Sequence, residues 1–114
     1  MPRVSRISAH PPYAVEEALQ RLGQNIRTAR LRRRLTRTDL AERIGLSRFA
    51  LADVEKGKPT TAIAAYLGAV WALGLLGPMR DVADPDADEE GKILERSRSP
   101  GTAPKRRKEL DSDF

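Results

Sequence analysis

The chain has 114 residues, no cysteine, one histidine and a formal net charge of +5, which suits one small core with tails. Disulfide and thiolate chemistry are excluded, and the lone His10 leaves no material for a metal cluster or a histidine-dependent triad. The charge is unevenly divided: residues 1–80 hold 14 Lys/Arg against 6 Asp/Glu, and residues 81–114 hold 7 against 10, so the first part is suited to a polyanion and the second is not.

Residues 1–12 carry Pro2, Pro11 and Pro12 among scattered Arg and Ser, with no periodic apolar face, and are expected to form a flexible arm. No apolar run of a secretory signal stands there. From Tyr13 the pattern changes. Val15, Leu19, Leu22, Ile26, Ala29 and Leu31 recur mostly three or four apart, which predicts a long amphipathic helix ending near Arg34, with Gly23 as its weak point. Its second half holds Arg27, Arg30, Arg32, Arg33 and Arg34. One reading is a solvated face with cations favoured at a helix C-terminus; the other, supported by the pair of short helices next along the chain, is phosphate contact.

Between Thr36 and Gly57 the stretch TRTDLAERIGLSRFALADVEKG reads as two short helices joined by a tight turn. Leu40, Ala41 and Ile44 form one apolar face at helical spacing, and Leu51 and Val54 form the facing one. Thr36 and Ser47 stand where short hydroxyl side chains accept from the free amides of a helix start. Gly45 ends the first helix of the pair where the chain needs positive φ, and Leu46 plugs the corner. This is the pattern of a helix-turn-helix.

Lys58-Pro59-Thr60 then stops the chain and starts a fourth helix, from Thr61 to about Leu73. Ile63, Tyr66, Leu67, Val70 and Trp71 are apolar at helical spacing, while Ala62, Ala64, Ala65, Ala69 and Ala72 leave few polar positions, so this helix needs cover on more than one side. With so small a core, the surplus predicts a dimer interface of Tyr66, Val70, Trp71, Leu75 and Leu76, continued by Met79 and Val82. The alternative places Tyr66 and Trp71 inside the monomer. The apolar run Ala62 to Leu76 is shorter than the roughly 20 residues a bilayer needs.

Beyond Arg80 come an acidic stretch, DVADPDADEEGK, with a short helix expected before Pro85, then a basic Pro/Ser-rich segment, SRSPGTAPKRRK, and an acidic end, ELDSDF. Most of this buries too little apolar surface to hold one fold, so a largely disordered tail is expected. Leu110 and Phe114 offer apolar anchors beside the carboxylates of Glu109, Asp111 and Asp113, which suits a basic groove on a partner. The alternative is a solubilising tail. Gly-rich phosphate loops are absent as well, which leaves an enzyme as a distant third reading.

Residues 22–59, LGQNIRTARLRRRLTRTDLAERIGLSRFALADVEKGKP, resemble the Xre or phage-repressor type of helix-turn-helix domain. The resemblance is carried by Ile26 with Arg30, Leu35-Thr36, Leu40-Ala41, Gly45-Leu46-Ser47, Leu51 and Glu55-Lys56-Gly57. It implies a structural ion pair between Arg30 and Glu55. It also implies phosphate contacts from Thr36 and Arg37, where the family often has Gln, and from Lys56 and Lys58, with Arg33, Arg34, Thr38 and Ser47 completing the expected set. The family's base-reading positions fall on Arg48, Phe49 and Asp53, with Ala52 as the small residue lying against the duplex. An arginine at that place can donate two hydrogen bonds to guanine O6 and N7, Phe49 can meet a thymine methyl, and Asp53 can accept from cytosine N4 or lower non-specific affinity. The Ala-rich helix ending WALGLLGPMRDVADPDADEEG, the basic linker and the acidic LDSDF end further resemble the antitoxin of HipBA-type toxin-antitoxin pairs, a dimer that represses its own operon and binds a HipA-like kinase toxin.

The expectation is an all-α fold of four to five helices: residues 1–12 an arm, 13–80 a helix-turn-helix domain with a dimerising last helix, and 81–114 a charged tail. The expected role is a sequence-specific repressor bound as a homodimer to double-stranded operator DNA, in the bacterial cytoplasm at the nucleoid, with no catalytic residue, metal, cofactor or membrane. A HipA-like kinase toxin is the further expected partner. The alternatives are a phage-type or stand-alone regulator without that partner, and a toxin neutraliser for which DNA contact is secondary.

Overall fold

A computed structural model of the chain describes residues 4–98, which form helices and no strand. In chain order these are α1 (Arg6–Ala9), α2 (Tyr13–Arg32), α3 (Arg37–Ile44), α4 (Arg48–Lys56) and α5 (Ile63–Ala72), then two 3-10 turns, Gly77–Asp81 and Pro85–Ala87, and α6 (Glu89–Arg98). The contacts divide the chain after Met79 into two units. The all-α expectation holds, and no helix among the described residues is long and apolar enough to cross a membrane.

In the first unit α4 lies against α2, α3 and α5, and α5 also packs on α3. Leu40 of α3 and Leu51 and Val54 of α4 are fully buried between them, and burying each such aliphatic side chain contributes about 1.5–3 kcal/mol. Ile26 and Ala29 close the core from α2, and Tyr66, Ala69, Val70 and Leu73 close it from α5 and its end. The local signals read from the sequence are in place. Thr36 Oγ1 accepts from the Asp39 N–H at 3.0 Å while the Asp39 carboxylate accepts from the Thr36 N–H at 2.9 Å, satisfying two donors that a helix start leaves free. Ser47 Oγ accepts from the Ala50 N–H at 3.0 Å. Gly45 has φ 73, and Leu46 packs against the core.

Four features depart from the expectation. The segment before Tyr13 contains a helical turn, α1, capped by the Ser5 hydroxyl. The long helix stops at Arg32, and Arg34 takes φ 55 as the Leu35 N–H turns back to the Arg30 carbonyl. Gly23 is no weak point. A Cβ there would lie 2.6 Å from the carbonyl oxygens of Val54 and Glu55, so the missing side chain is what lets α2 lie directly on the backbone of α4. Gly57 serves the same crossing from the other side, against the backbone of Leu19 and Gln20.

The fourth departure concerns α5, which opens at Ile63 with Ala62 as its N-cap. Tyr66 and Val70, expected at a dimer surface, are 3% and 5% exposed and belong to the core of their own chain. The Tyr66 hydroxyl donates to the Lys58 carbonyl at 2.7 Å, which ties the loop after α4 to α5, and Leu76 packs against the core as well. Trp71, by contrast, is 61% exposed, and Ile63 and Leu75 are also on the surface. The physical reason is that α5 is turned so that Tyr66, Ala69 and Val70 meet the helices beneath it, α3 and α4 above all, which leaves Trp71 and Ile63 outside that contact.

The helix expected before Pro85 is the 3-10 turn Gly77–Asp81, which runs across the boundary of the two units, and the longer helix, α6, lies in the second unit. Asp84 accepts from the Asp86 N–H and Asp88 from the Gly91 N–H, so two of the acidic residues act as caps. The expected partner-binding residues Leu110, Asp111, Asp113 and Phe114 lie outside the described residues.

Candidate nucleic-acid interface

The basis of the site is a buried carboxylate. Glu55, with 2% of its side chain exposed, receives Arg30 Nε at 2.6 Å and Arg30 Nη2 at 3.1 Å, while Arg30 Nη1 donates to the Leu35 carbonyl at 2.8 Å. The pair thus joins α2, the loop before α3 and α4 in one bidentate contact, and it is the pair the family resemblance implies. Arg37 adds a third member, its Nε donating to Glu55 Oε1 at 3.0 Å from a half-exposed position. Burial pushes the Glu55 carboxyl up, but the hydrogen bonds and charges of Arg30 and Arg37 outweigh it and hold the group below the usual glutamate value.

Above this network the surface opens into a groove of about 630 Å³ between the end of α2, the start of α3 and the first turn of α4. Leu31, Leu35, Phe49 and Ala52 give it an apolar floor, and Arg27, Arg34, Arg37 and Arg48 stand around it. A second groove continues along α4 past Gln24, Arg27, Arg37 and Ala52 to Lys56. Glu55 is the single carboxylate lining either groove, and it is neutralised by Arg30. The strip from Arg48 to Lys56 is therefore strongly cationic, the condition for meeting a phosphate backbone.

The expected site residues fall into two sets. Arg48, Phe49 and Ala52 stand together on the outer face of α4, and Arg34, Thr36, Arg37 and Thr38 stand opposite them across the first groove. Lys56 extends the strip. Asp53, expected to read bases, instead pairs with Lys58, whose Nζ is 3.3 Å from its Oδ1, and neither residue lines the grooves. At 100° per residue Asp53 is turned well away from the face that Arg48 and Ala52 centre, toward Tyr66, whose pKa its charge raises after burial itself. Arg33, expected at a phosphate, bends back so that its Nη1 donates to the Ala29 carbonyl at 2.8 Å, the cation-at-a-helix-end alternative. Ser47 spends its hydroxyl on the cap of α4.

Gln24 and Thr28 are the additions that the sequence did not point to, while Arg27, one of the basic residues offered for phosphate contact, lines both grooves. Among the described residues no group of His, Cys, Asp or Glu is able to hold a metal ion.

A family model of the helix-turn-helix domain matches residues 21–83, more than half of the chain. Searches of curated proteins and of solved structures give no match. The matched span takes in most of α2, the α3–turn–α4 pair with its sealed Arg30–Glu55 contact, and α5, and the chain belongs to the helix-turn-helix domain family, a DNA-binding fold.

Proposed function

We propose that the chain is a sequence-specific repressor that binds operator DNA as a homodimer, acting on its own or a neighbouring promoter in the bacterial cytoplasm at the nucleoid. The observation that carries this reading is the outer face of α4, where Arg48, Phe49 and Ala52 stand free of the core and are flanked by Arg27, Arg34, Arg37 and Lys56. An α-helix fits the major groove, an arginine in its first turn reaches guanine, and the flanking cations meet phosphates on either side. The exposed Trp71 and Leu75 supply an apolar surface for the second copy, and two copies then read half-sites one DNA turn apart, about 34–36 Å. Footprinting on the chain's own promoter region tests the reading. Arg48→Ala is expected to lose preference at one position per half-site at a cost of about 1–3 kcal/mol; wild-type binding by that variant removes the base-reading role.

A finer reading makes the repressor the autoregulating antitoxin of a HipBA-type operon. Support comes from the resemblance over residues 71–91 and from the reversal of charge balance beyond residue 80. Co-expression of the full chain, and of a chain lacking residues 105–114, with the product of the neighbouring gene tests it. Protection by the full chain alone supports a toxin-binding tail, equal protection by both removes the tail's part, and protection by neither leaves a stand-alone regulator.

A further inference from the structure

We propose that Arg48 and Phe49 act as one reading unit that selects a guanine whose adjoining base pair carries a pyrimidine 5-methyl group; this rests on the reading of α4 as the base-contacting helix. The guanidinium carbon of Arg48 lies over the Phe49 ring, 4.9 Å from its centroid. That contact is made through the π face of the ring and spends none of the arginine's N–H donors on a carboxylate. Arg48 forms no ion pair with another described residue, so its donor edge is available. Phe49 is 69% exposed beside Ala52, and its outer side is free to meet a ligand.

In the proposed complex Arg48 donates to guanine O6 and N7 in the plane of that base, and the Phe49 ring, 4.9 Å away on the flank of the guanidinium, is set toward the adjoining base pair, stacked about 3.4 Å from the first, and not the guanine's own. The apolar group that a base pair presents in the major groove is the thymine 5-methyl. Contact with it buries both apolar groups and removes water from the flank of the guanidinium, which strengthens the charge-assisted bonds to guanine. The two contacts are coupled, so Phe49 contributes to specificity at a base it does not share with Arg48.

The test begins with selection of bound duplexes from a random pool by the full-length chain. Each thymine of the selected site is then replaced in turn by uracil, which deletes the methyl alone, and binding is measured for wild type, Phe49→Ala and Phe49→Leu. The expected result is one thymine beside a guanine in each half-site whose replacement weakens wild-type binding about fourfold. Phe49→Ala is expected to bind the thymine and uracil sites alike, and Phe49→Leu to keep part of the difference. A selected site at which no thymine responds, or a response that persists in Phe49→Ala, overturns the inference and leaves the repressor reading standing. A pool with no enriched sequence overturns both.

Discussion

Glu55 holds two guanidinium groups on one carboxylate, and the two differ in what they do. Arg30 is sealed with it and joins three elements, whereas Arg37 is half-exposed and lines both grooves. Breaking such a buried pair from one side leaves an uncompensated charge and costs about 3–5 kcal/mol, so Arg30→Ala is a folding variant and not a probe of binding. Arg37 is the informative partner. Because the Glu55 carboxyl is held below its unfolded value, near 4.3 for a free glutamate, its contribution is present above that value and is lost as pH falls through the lowered one. Arg37→Gln removes one of the groups holding it down, so the acid loss of stability, which begins near the unfolded value in both proteins, is expected to be smaller in the variant and complete at a higher pH than in wild type. Urea unfolding between pH 7 and about pH 3 measures this, and superimposable pH profiles for the two proteins would show that Arg37 does not share the carboxylate in solution.

The elements are placed by backbone contact as much as by side-chain packing. α2 and α4 approach at Gly23 and Gly57, where a Cβ on either would run into the opposing backbone. In an exposed helix Gly→Ala gains about 1 kcal/mol; at Gly23 the carbonyls of Val54 and Glu55 cannot move without shifting α4, and overpacking costs about 1–3 kcal/mol. Gly23→Ala is therefore expected to lower the melting temperature and weaken operator binding together, since α4 carries both the core and Arg48. Gly68→Ala is the control on α5: the nearest atom to its new methyl is Ile44 Cβ at 3.7 Å, an ordinary contact, and the variant is expected to melt at the same or a higher temperature. Calorimetry of the two variants checks the pair, and a stabilised Gly23→Ala would contradict the close crossing.

At the scale of the whole molecule, the exposed apolar surface of α5 and the distribution of charge make separate predictions. Val70 is in the core and Trp71 is outside it, so Val70→Asp is expected to unfold the chain through a buried unpaired carboxylate. Trp71→Asp is expected to give folded monomers, as read by sedimentation with circular dichroism; a folded Trp71→Asp dimer would place the interface elsewhere. Operator affinity is expected to fall linearly with salt on logarithmic axes. Arg27→Ala, at both grooves, is expected to reduce that slope by about 1, and Arg33→Ala, turned onto the Ala29 carbonyl, to leave it nearly unchanged. Equal slopes for the two variants would contradict the strip as the phosphate-facing surface.

The amino-acid sequence by itself determined the caps, the turn and the ends of α3 and α4. Thr36 with Asp39, Ser47 with Ala50, and Gly45 act across four residues or fewer, and the apolar period of α2 is a property of that segment alone. The Arg30–Glu55 pair spans 25 residues and was legible only through likeness to a family, since no local pattern links the two positions. Tertiary structure decided the rest. α5 is apolar on nearly every side, so its sequence carries no period to separate the buried Tyr66 and Val70 from the exposed Trp71. The pairing of Asp53 with Lys58, the turning back of Arg33, and the service of Gly23 as a point of contact were decided in the same way. Each depends on where another segment lies in space, and side-chain spacing along one chain does not encode that position.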